Sequence, residues 1–451
     1  MKFGTDGVRG RAHTELTVGF AARLARAASR VLGASFEGAT PSVVIGADTR
    51  ESSPAFVAAL TTGFVAEGVQ VVDLGIAPTP LVAFECSRIQ AIGAMVSASH
   101  NPWHDNGIKL FARGGAKLTD DIEAEIEAAL DDVKEGDCGE VADTAGGPPA
   151  GSVHLDSAVA ESYGSHIAGF IDGRSLVGLH VVLDASNGAA SAIAPLVLRR
   201  LGAVVTVVAD TPNGRNINDG CGATVPSFVA ERVVEIGADV GIALDGDADR
   251  LIAVGHDGVV VDGDHIIAIC AADLRTRGRL AHDTVVVTIM TNLGFHLAMR
   301  DAGIDVVQTG VGDRYVLKEL HRGGFSLGGE QSGHVIFREH ASTGDGLLTA
   351  VALLDVVARS GRSLDALAAD AMTALPQVLL NVEVAERVPD VAQQLAAEVA
   401  EVEAELGDAG RVLLRASGTE NLIRVMAEAQ TEKQATAAAR TLADIVVARF
   451  A

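Results

Sequence analysis

The sequence predicts an α/β protein of three tandem α/β domains followed by a smaller α+β domain. The first observation behind this is a strand–helix–strand pattern that occurs three times. SVVIGADTR (42–50), HVVLDASNG (180–188) and TVVVTIMTN (284–292) are β-branched runs that end in polar residues. An Ala/Leu-rich helical stretch follows each, and then a second strand: VQVVDLG (69–75), AVVTVVAD (203–210) and IDVVQTG (304–310). This is a βαβ unit, and the repeats start too far apart to be turns of one solenoid. The second observation is the change of pattern after Pro376. A strand (QVLLNVEV), an acidic helix, two strands around a Gly turn (RVLLRASGTENLIRVMAEA) and a final helix describe an α+β unit.

The boundaries follow from composition. The stretch 135–151 is dense in Gly and Pro and reads as a loop. A second break falls near Gly255 to Gly258, and a third at Pro376. The expected domains are therefore 1–152, 153–256, 257–374 and 375–451.

With 451 residues, 48% hydrophobic, 21% charged and 4% aromatic, the chain has the composition of a folded protein with Ala, Val, Leu and Ile cores. Disorder is excluded. No apolar run reaches the roughly 18 residues of a membrane-spanning helix, and the opening MKFGTDGVRG has no apolar signal-peptide region. A cytoplasmic protein is expected. Its 59 acidic residues against 35 basic ones give a net charge of −24, which opposes binding to nucleic acid or anionic membrane. Cys86, Cys138, Cys221 and Cys270 have no spacing that suggests a disulfide framework or a zinc cluster.

Four segments carry candidate chemistry. The strand DVGIAL runs into Asp245, Asp247 and Asp249, with Arg250 next. Three carboxylates at alternate positions repel one another unless a cation sits among them, and hard oxygen ligands suit Mg²⁺. An EF-hand loop is excluded, because its sixth position would be Arg250 and its twelfth His256. An aspartyl-phosphatase site, with Asp245 as nucleophile, stays open as an alternative.

The second segment follows AIGAMV and contains Ser97, Ser99, His100, Asn101 and Pro102, with Lys109 close behind. It has no Gly-x-Ser-x-Gly elbow, and adjacent Ser99 and His100 side chains are expected to diverge, so a hydrolase triad is not suggested. A serine that carries a phosphoryl group fits better, since its phosphate would complete the shell of a metal held by the aspartates. In the third segment, GGEQSGH, an extended backbone would point Glu330, Ser332 and His334 to one face, where they suit sugar hydroxyls. The fourth, RASGTEN with Arg424 beyond, is a Gly turn lined by hydroxyls and flanked by two arginines, a concavity for a phosphate dianion.

Together these segments resemble the α-D-phosphohexomutase superfamily. The resemblance runs the whole chain in the family's order: FGTDGVRG (3–10), SASHNP with DNGIK, NINDGCGA (216–223), DGDADR, GVGDRY (310–315), GGEQSGH and RASGTEN. It implies three mixed-sheet α/β domains and a smaller α+β C-terminal domain around a central cleft, each lending one loop. It also implies an isomerase of the intramolecular phosphotransferase type. In that reaction a phosphoserine donates its phosphoryl group, the bisphosphate intermediate reorients, and a phosphoryl group is taken back.

The forms GGEQSGH and SASHNP point to the glucosamine phosphate branch over the mannose and glucose branches. The expected reaction interconverts glucosamine 6-phosphate and glucosamine 1-phosphate through glucosamine 1,6-bisphosphate, feeding amino-sugar nucleotide and cell-wall precursor synthesis. Ser99 matches the phosphorylated position, and Ser97 does not. Asp245, Asp247 and Asp249 match the Mg²⁺ ligands, with an oxygen of phospho-Ser99 as the fourth. Arg9 and Lys109 match positions near the transferring phosphoryl group, and His100 is grouped with them as catalytic; which of them moves the proton stays open.

Glu330 and Ser332 match the sugar-specificity loop, with His334 and Arg250 counted as substrate-binding. Arg415, Ser417, Gly418, Thr419 and Arg424 match the loop for the non-transferring phosphate, although Asn421 stands where many relatives have Pro. The implied partner is a small hexosamine phosphate, without nucleic acid or membrane, and a homodimer is left open. A metal-dependent sugar-phosphate sensor is the non-enzymatic alternative.

Overall fold

The apolar run at 42–47 becomes a buried central strand, and the same event recurs in the next two domains. The computed structural model describes residues 2–4, 6–134, 157–417 and 421–451. Its first sheet contains β1 (Val8–Arg11), β2 (Ser42–Ala47), β3 (Gln70–Ile76), β4 (Ile92–Val96) and β5 (Asp105–Phe111) in the order β1-β5-β4-β2-β3. Strands β3, β2 and β4 are parallel, while β5 and β1 are antiparallel to their neighbours. Val43, Val44, Ile45, Ala94 and Met95 are wholly buried, as expected where helices cover both faces of a parallel sheet.

The second sheet repeats this plan with β6 (His180–Asp184), β7 (Val204–Val208), β8 (Val240–Leu244), β9 (Leu251–Gly255) and β10 (Val260–Val261), ordered β10-β9-β8-β6-β7. In the third, β11 (Thr284–Thr288), β12 (Asp305–Thr309), β13 (Leu327–Gly329) and β14 (Val335–Phe337) are ordered β12-β11-β13-β14. Each sheet therefore has a parallel trio whose third strand hands over to an antiparallel fourth. The hand-over loops 97–104, 245–250 and 330–334 lie at the carboxyl ends of those third strands, the place where open α/β sheets bind ligands.

By spatial grouping the chain forms two units, Met1–Met290 with Ile304–Ala369, and Thr291–Gly303 with Asp370–Ala451. The second unit has an antiparallel sheet of β15 (Gln377–Glu383), β16 (Arg411–Ala416) and β17 (Leu422–Glu428), ordered β15-β17-β16. The helix Glu432–Phe450, capped by Thr431, contributes Leu442 and Val446 to a core with Val382, Leu414, Ile423 and Val425.

The helix Leu293–Asp301 belongs to this second unit through Glu428, which is fully buried. Its carboxylate accepts from Arg411 Nε at 2.7 Å, the Leu293 backbone N–H at 2.9 Å and Asn292 Nδ2 at 3.3 Å. Asn292 also bonds the Leu375 backbone in both directions, donating to its carbonyl at 3.0 Å and accepting from its N–H at 2.9 Å.

Among the described residues no helix is long and apolar enough to cross a membrane. Cys86, Cys221 and Cys270 are free and buried. Cys138, the 135–151 stretch and the division between 152 and 153 lie outside the described residues.

Removing one partner of a buried ion pair is expensive, because the other charge is left uncompensated. Glu428→Ala is therefore expected to lower the stability of the second unit by about 3 kcal/mol. Glu398→Ala breaks only a part-exposed pair with Arg449, so its effect should stay below about 1 kcal/mol. Urea unfolding of the two variants against the parent chain measures the contrast, and equal effects would contradict it.

Candidate active site

The loop after β4 is held from below by a buried arginine. Arg50 pairs with Asp48 at 2.8 Å, with both side chains fully buried. The same guanidinium donates to the carbonyls of Ser99, Asn101 and Asp105 at 2.9 Å each, and to that of Pro102. Asn218, from the NINDGCGA segment, adds bonds to the Ser99 and Asn101 carbonyls at 2.9 and 3.2 Å. The Ser97 hydroxyl donates to Asp48 at 2.6 Å and accepts from the Ser99 N–H at 2.9 Å, so Ser97 is used as scaffold.

Ser99 itself has a φ of +55°, a conformation that costs a non-glycine residue about 1–3 kcal/mol and persists only where surrounding contacts impose it. Its Oγ donates to Asp245 Oδ2 at 2.6 Å and lies 3.4 Å from His100 Nδ1. The adjacent Ser99 and His100 side chains do not diverge as the sequence led one to expect, and the left-handed backbone at Ser99 accompanies this convergence. Burial first, then the Arg250 and Arg9 cations, push the His100 imidazole down to about 4, which leaves it neutral at physiological pH.

The loop after β8 meets the serine loop backbone to backbone. A Cβ on Gly246 would lie 2.5 Å from the Ser99 carbonyl oxygen, so a side chain there would force the two loops apart. Asp245, Asp247 and Asp249 are all buried, with potential ligand atoms within 4.8 Å of one another. Lys109, from β5, reaches Asp6 at 2.7 Å and Asp247 and Asp249 at 2.8 Å each. Thr79 Oγ1 donates to Asp247 Oδ2 at 2.6 Å.

Burial raises the Asp245 carboxyl well above the usual carboxylate range, reinforced by Asp249 and Asp247. Burial would do the same to Asp249, but Lys109, His334 and Arg250 override it and hold that carboxyl well below the range. Asp6 is likewise held low against burial, by Lys109 and Lys117. Lys109, Lys117, His334 and Arg250 thus compensate Asp6 and Asp249, while Asp245 stays raised. Asp247 Oδ1 and Asp249 Oδ1 are buried without a hydrogen-bond partner. Two orphaned hard oxygens beside a carboxyl that burial disfavours as an anion fit a divalent cation such as Mg²⁺.

The third loop departs from the sequence reading. The segment between β13 and β14 is a turn, with the Glu330 N–H bonded to the His334 carbonyl at 3.0 Å and the Gly333 N–H to the Glu330 carbonyl at 2.9 Å. Alternation therefore does not apply, and Glu330, Ser332 and His334 do not share one strand face. Gly333 has a φ of +88° and packs against the Leu251 carbonyl, where a Cβ would collide. The tertiary contact with β9 bends the segment.

Glu330 and His334 nevertheless face the same cleft, whereas Ser332 is exposed and does not line it. His334 is buried with Nδ1 3.6 Å from Asp249 and Nε2 3.3 Å from Asp313, and Nε2 accepts from the Gly344 N–H at 3.0 Å. Glu330 Oε1 accepts from the Gly312 N–H at 3.2 Å.

The cleft has a volume of about 390 Å³ and gathers Arg9, His100, Asp249, Arg250, Glu330 and His334. Three further groups in or beside it, Lys117, Asp6 and Asp313, escaped the sequence reading. Lys117 joins Asp6 at 2.8 Å and also pairs with Asp313, connecting the first sheet's domain to the helix Asp313–Gly323. Asp6 lies three residues before the arginine in FGTDGVRG, and Asp313 lies in GVGDRY. Those motifs were the available signal, although nothing in either shows its partner.

In the second unit, Arg415 on β16 and Arg424 on β17 are register partners, and both are exposed. Like charges directly opposite on a sheet repel, so the pair is suited to an anion between them. The Ser417 N–H closes the loop by donating to the Leu422 carbonyl at 2.9 Å. Gly418 and Thr419 lie outside the described residues.

Known families account for this arrangement. Residues 1–137, 161–258, 262–375 and 379–445 match, in that order, the α/β/α domains I, II and III and the C-terminal domain of phosphoglucomutase/phosphomannomutase. The chain belongs to that family. It is 50% identical over 446 residues to a phosphoglucosamine mutase of Rhodococcus erythropolis, covering 98% of each chain. It is also 50% identical over 447 residues to that of Thermobifida fusca, covering 98% of this chain and 97% of the other.

Among solved structures, a phosphoglucomutase/phosphomannomutase family protein from Burkholderia thailandensis superposes with a TM-score of 0.79 at 24% identity, covering 98% and 97% of the two chains. The Aspergillus fumigatus N-acetylphosphoglucosamine mutase, solved with GlcNAc-6P and magnesium, superposes with a TM-score of 0.68 at 20% identity, covering 98% and 96%. At these identities the structural likeness speaks for the fold.

The carboxylate cluster generates a prediction that needs no turnover assay. The chain should bind one Mg²⁺ or Mn²⁺, and Asp247→Asn should weaken that binding by at least about tenfold, since ligand charge sets affinity at an oxygen site. Calorimetric titration with Mn²⁺ reads it, and unaltered affinity in the variant would remove Asp247 from the ligand set.

Proposed function

We propose that this chain is an isomerase that interconverts glucosamine 6-phosphate and glucosamine 1-phosphate, with a phosphoryl group carried on Ser99 and glucosamine 1,6-bisphosphate as the intermediate. The observation that carries the reading is the Ser99 hydroxyl, held in a left-handed turn 2.6 Å from Asp245 and beside two orphaned carboxylate oxygens. The relatives named phosphoglucosamine mutase, at 50% identity over nearly the whole chain, support the substrate.

Asp245, Asp247 and Asp249 would hold a Mg²⁺ together with an oxygen of phospho-Ser99. When bound, that ion supplies positive charge against the −1.5 to −2 of a phosphoserine. The protein's own cations, Arg9, Lys109 and Arg250, surround the same point and offset charge that spreads over the phosphoryl oxygens in a loose transition state. In the forward half-reaction the bond from phosphorus to Ser99 Oγ breaks and a bond to a sugar hydroxyl oxygen forms. The hydroxyl proton leaves the sugar, and Ser99 Oγ regains one. Asp245 Oδ2 at 2.6 Å and His100 Nδ1 at 3.4 Å are close enough to exchange that proton. The reverse half-reaction, after the bisphosphate turns end for end, restores the phosphoserine.

Glu330 and His334 face the sugar in this reading, and Arg415, Ser417 and Arg424, with Gly418 and Thr419, hold the phosphate that is not transferred. The division into domains at 152/153, 256/257 and 374/375 belongs to the same proposal, with one loop from each.

Ser99→Ala is expected to abolish isomerisation without loss of fold, because among the described residues Ser99 carries the hydroxyl that is hydrogen-bonded to Asp245. Phosphate should map to Ser99 by mass spectrometry of the purified chain. Phosphate on Asp245, with free phosphate as product, would instead establish a phosphatase.

Arg415→Ala should raise KM by about tenfold or more with a smaller change in kcat, since a phosphate held equally in ground and transition states contributes uniform binding. Steady-state kinetics on glucosamine 6-phosphate decides this.

Glucosamine phosphate should be preferred over glucose phosphate by about ten- to a hundredfold in kcat/KM. That is the worth of one charge-assisted hydrogen bond, roughly 1.5 to 3 kcal/mol, between a carboxylate and the 2-ammonium group. Glu330→Gln should narrow the ratio, and a parental ratio near one would transfer the assignment to a mutase of neutral sugars.

A further inference from the structure

A second cleft, of about 400 Å³, opens in the same unit among the helix Thr79–Ile89, the helix Ser157–Gly169, the end of the helix Asp313–Gly323 and the segment 338–345. It shares no lining residue with the first. Its size lies within the roughly 300–1,000 Å³ of small-molecule sites.

The lining is less acidic than the chain as a whole, its two carboxylates matched by two arginines. Where the whole sequence has 59 acidic and 35 basic residues, this cleft presents three imidazoles and two guanidinia against two carboxylates. One of the carboxylates, Asp345, is committed to structure. It accepts from Tyr163 Oη at 2.8 Å and from the Leu348 N–H at 2.9 Å as the cap of the helix Gly346–Ser360. The Arg338 guanidinium is held by the carbonyls of Phe325 and Gly324, at 2.6 and 3.3 Å, which fix its position without cancelling its charge. Flat side chains form another part of the wall: the Phe84 ring lies 5.0 Å from His166 and 5.6 Å from Tyr163.

One polar atom in the lining is unexplained by the protein alone. Thr343 is fully buried, lines the cleft, and its Oγ1 has no hydrogen-bond partner. A buried hydroxyl without a partner costs about 1–3 kcal/mol, which a ligand acceptor would relieve.

We propose that this cleft binds a small phosphate monoester with a flat ring, the size of a nucleoside monophosphate, and that its occupancy is felt at the candidate active site. The phosphate meets Arg338, the imidazoles and the Thr343 hydroxyl, while the ring lies against Phe84. Coupling follows from the chain itself, because the next residue, Gly344, donates its N–H to His334 Nε2, and a Cβ there would lie 2.5 Å from the His334 ring. In packing this close, a shift of the 342–345 segment must move the His334 side chain. Ser342 Oγ also donates to the Gly115 carbonyl at 2.7 Å, which ties the same segment to the first domain.

The test is calorimetric titration of the full chain with AMP, UMP and inorganic phosphate. At least one nucleotide should bind about tenfold more tightly than phosphate, and Thr343→Val should weaken it by a similar factor, the worth of one hydrogen bond to a charged group. His321→Ser, at an exposed position on the rim, should weaken it as well, and it covers the case in which the threonine variant fails to fold. Glu330→Gln should leave binding unchanged, since it alters only the first cleft.

At saturating nucleotide the KM for glucosamine 6-phosphate should shift in the parent chain and stay constant in Thr343→Val. Four results would overturn the site: no nucleotide binding, binding no tighter than inorganic phosphate, binding indifferent to both cleft variants, or binding lost in Glu330→Gln. An unchanged KM at saturating nucleotide would overturn the coupling. Loss of catalysis in Ser99→Ala, by contrast, bears only on the proposed reaction.

Discussion

The structure is organised around a concentration of buried negative charge that its own cations only partly balance. Asp245, Asp247 and Asp249 are buried with Asp6 half-buried beside them, and the Lys109 ammonium reaches three of the four within 2.8 Å. Such a cluster is costly unless it is paired or coordinates a metal. The surrounding architecture serves that need: Lys117 supports Asp6, Thr79 donates to Asp247, and His334 approaches Asp249. The carboxyl left without enough positive charge, Asp245, is the one that holds the Ser99 hydroxyl. Electrostatic debt and candidate chemistry meet at one atom.

The fold delivers these groups by repeating one construction. In each of the three sheets a buried parallel strand runs into a loop and returns antiparallel, and those loops bear Ser99, the three aspartates and Glu330. Strand ends are rigid points in a sheet, so side chains just beyond them are placed more accurately than on a free loop. The loops then meet through backbone, which explains Gly246 against the Ser99 carbonyl and Gly333 against Leu251. The Arg50 guanidinium has a similar role underneath. It binds the carbonyls of Ser99, Asn101 and Pro102 in the loop and of Asp105 at the start of β5, and so holds Ser99 in a conformation that the residue would not choose by itself.

Much was legible in the chain alone. The three apolar strand runs and the changed pattern after Pro376 prescribe three α/β domains and an α+β domain, because burial in a parallel sheet demands continuous β-branched stretches whatever surrounds them. Asp245, Asp247 and Asp249 were readable as a cation site, since like charges so close in sequence stay close in space. Ser99, Lys109 and Arg9 were reached through motif resemblance rather than through geometry.

What tertiary structure decided was partnership over long sequence distances. No local pattern shows that Arg50 would be buried beneath a loop fifty residues away, that Lys117 would meet Asp313, or that Glu428 would capture the start of the helix Leu293–Asp301. Packing on Leu251 turned the 330–334 segment away from the extended form that alternation suggested, leaving Glu330 in the cleft and Ser332 outside it. Backbone periodicity and adjacent like charges are local properties that a sequence carries in itself. The pairing of a single buried charge depends on which distant group the completed fold brings within about 3 Å, and the same dependence governs a turn that a neighbouring strand imposes.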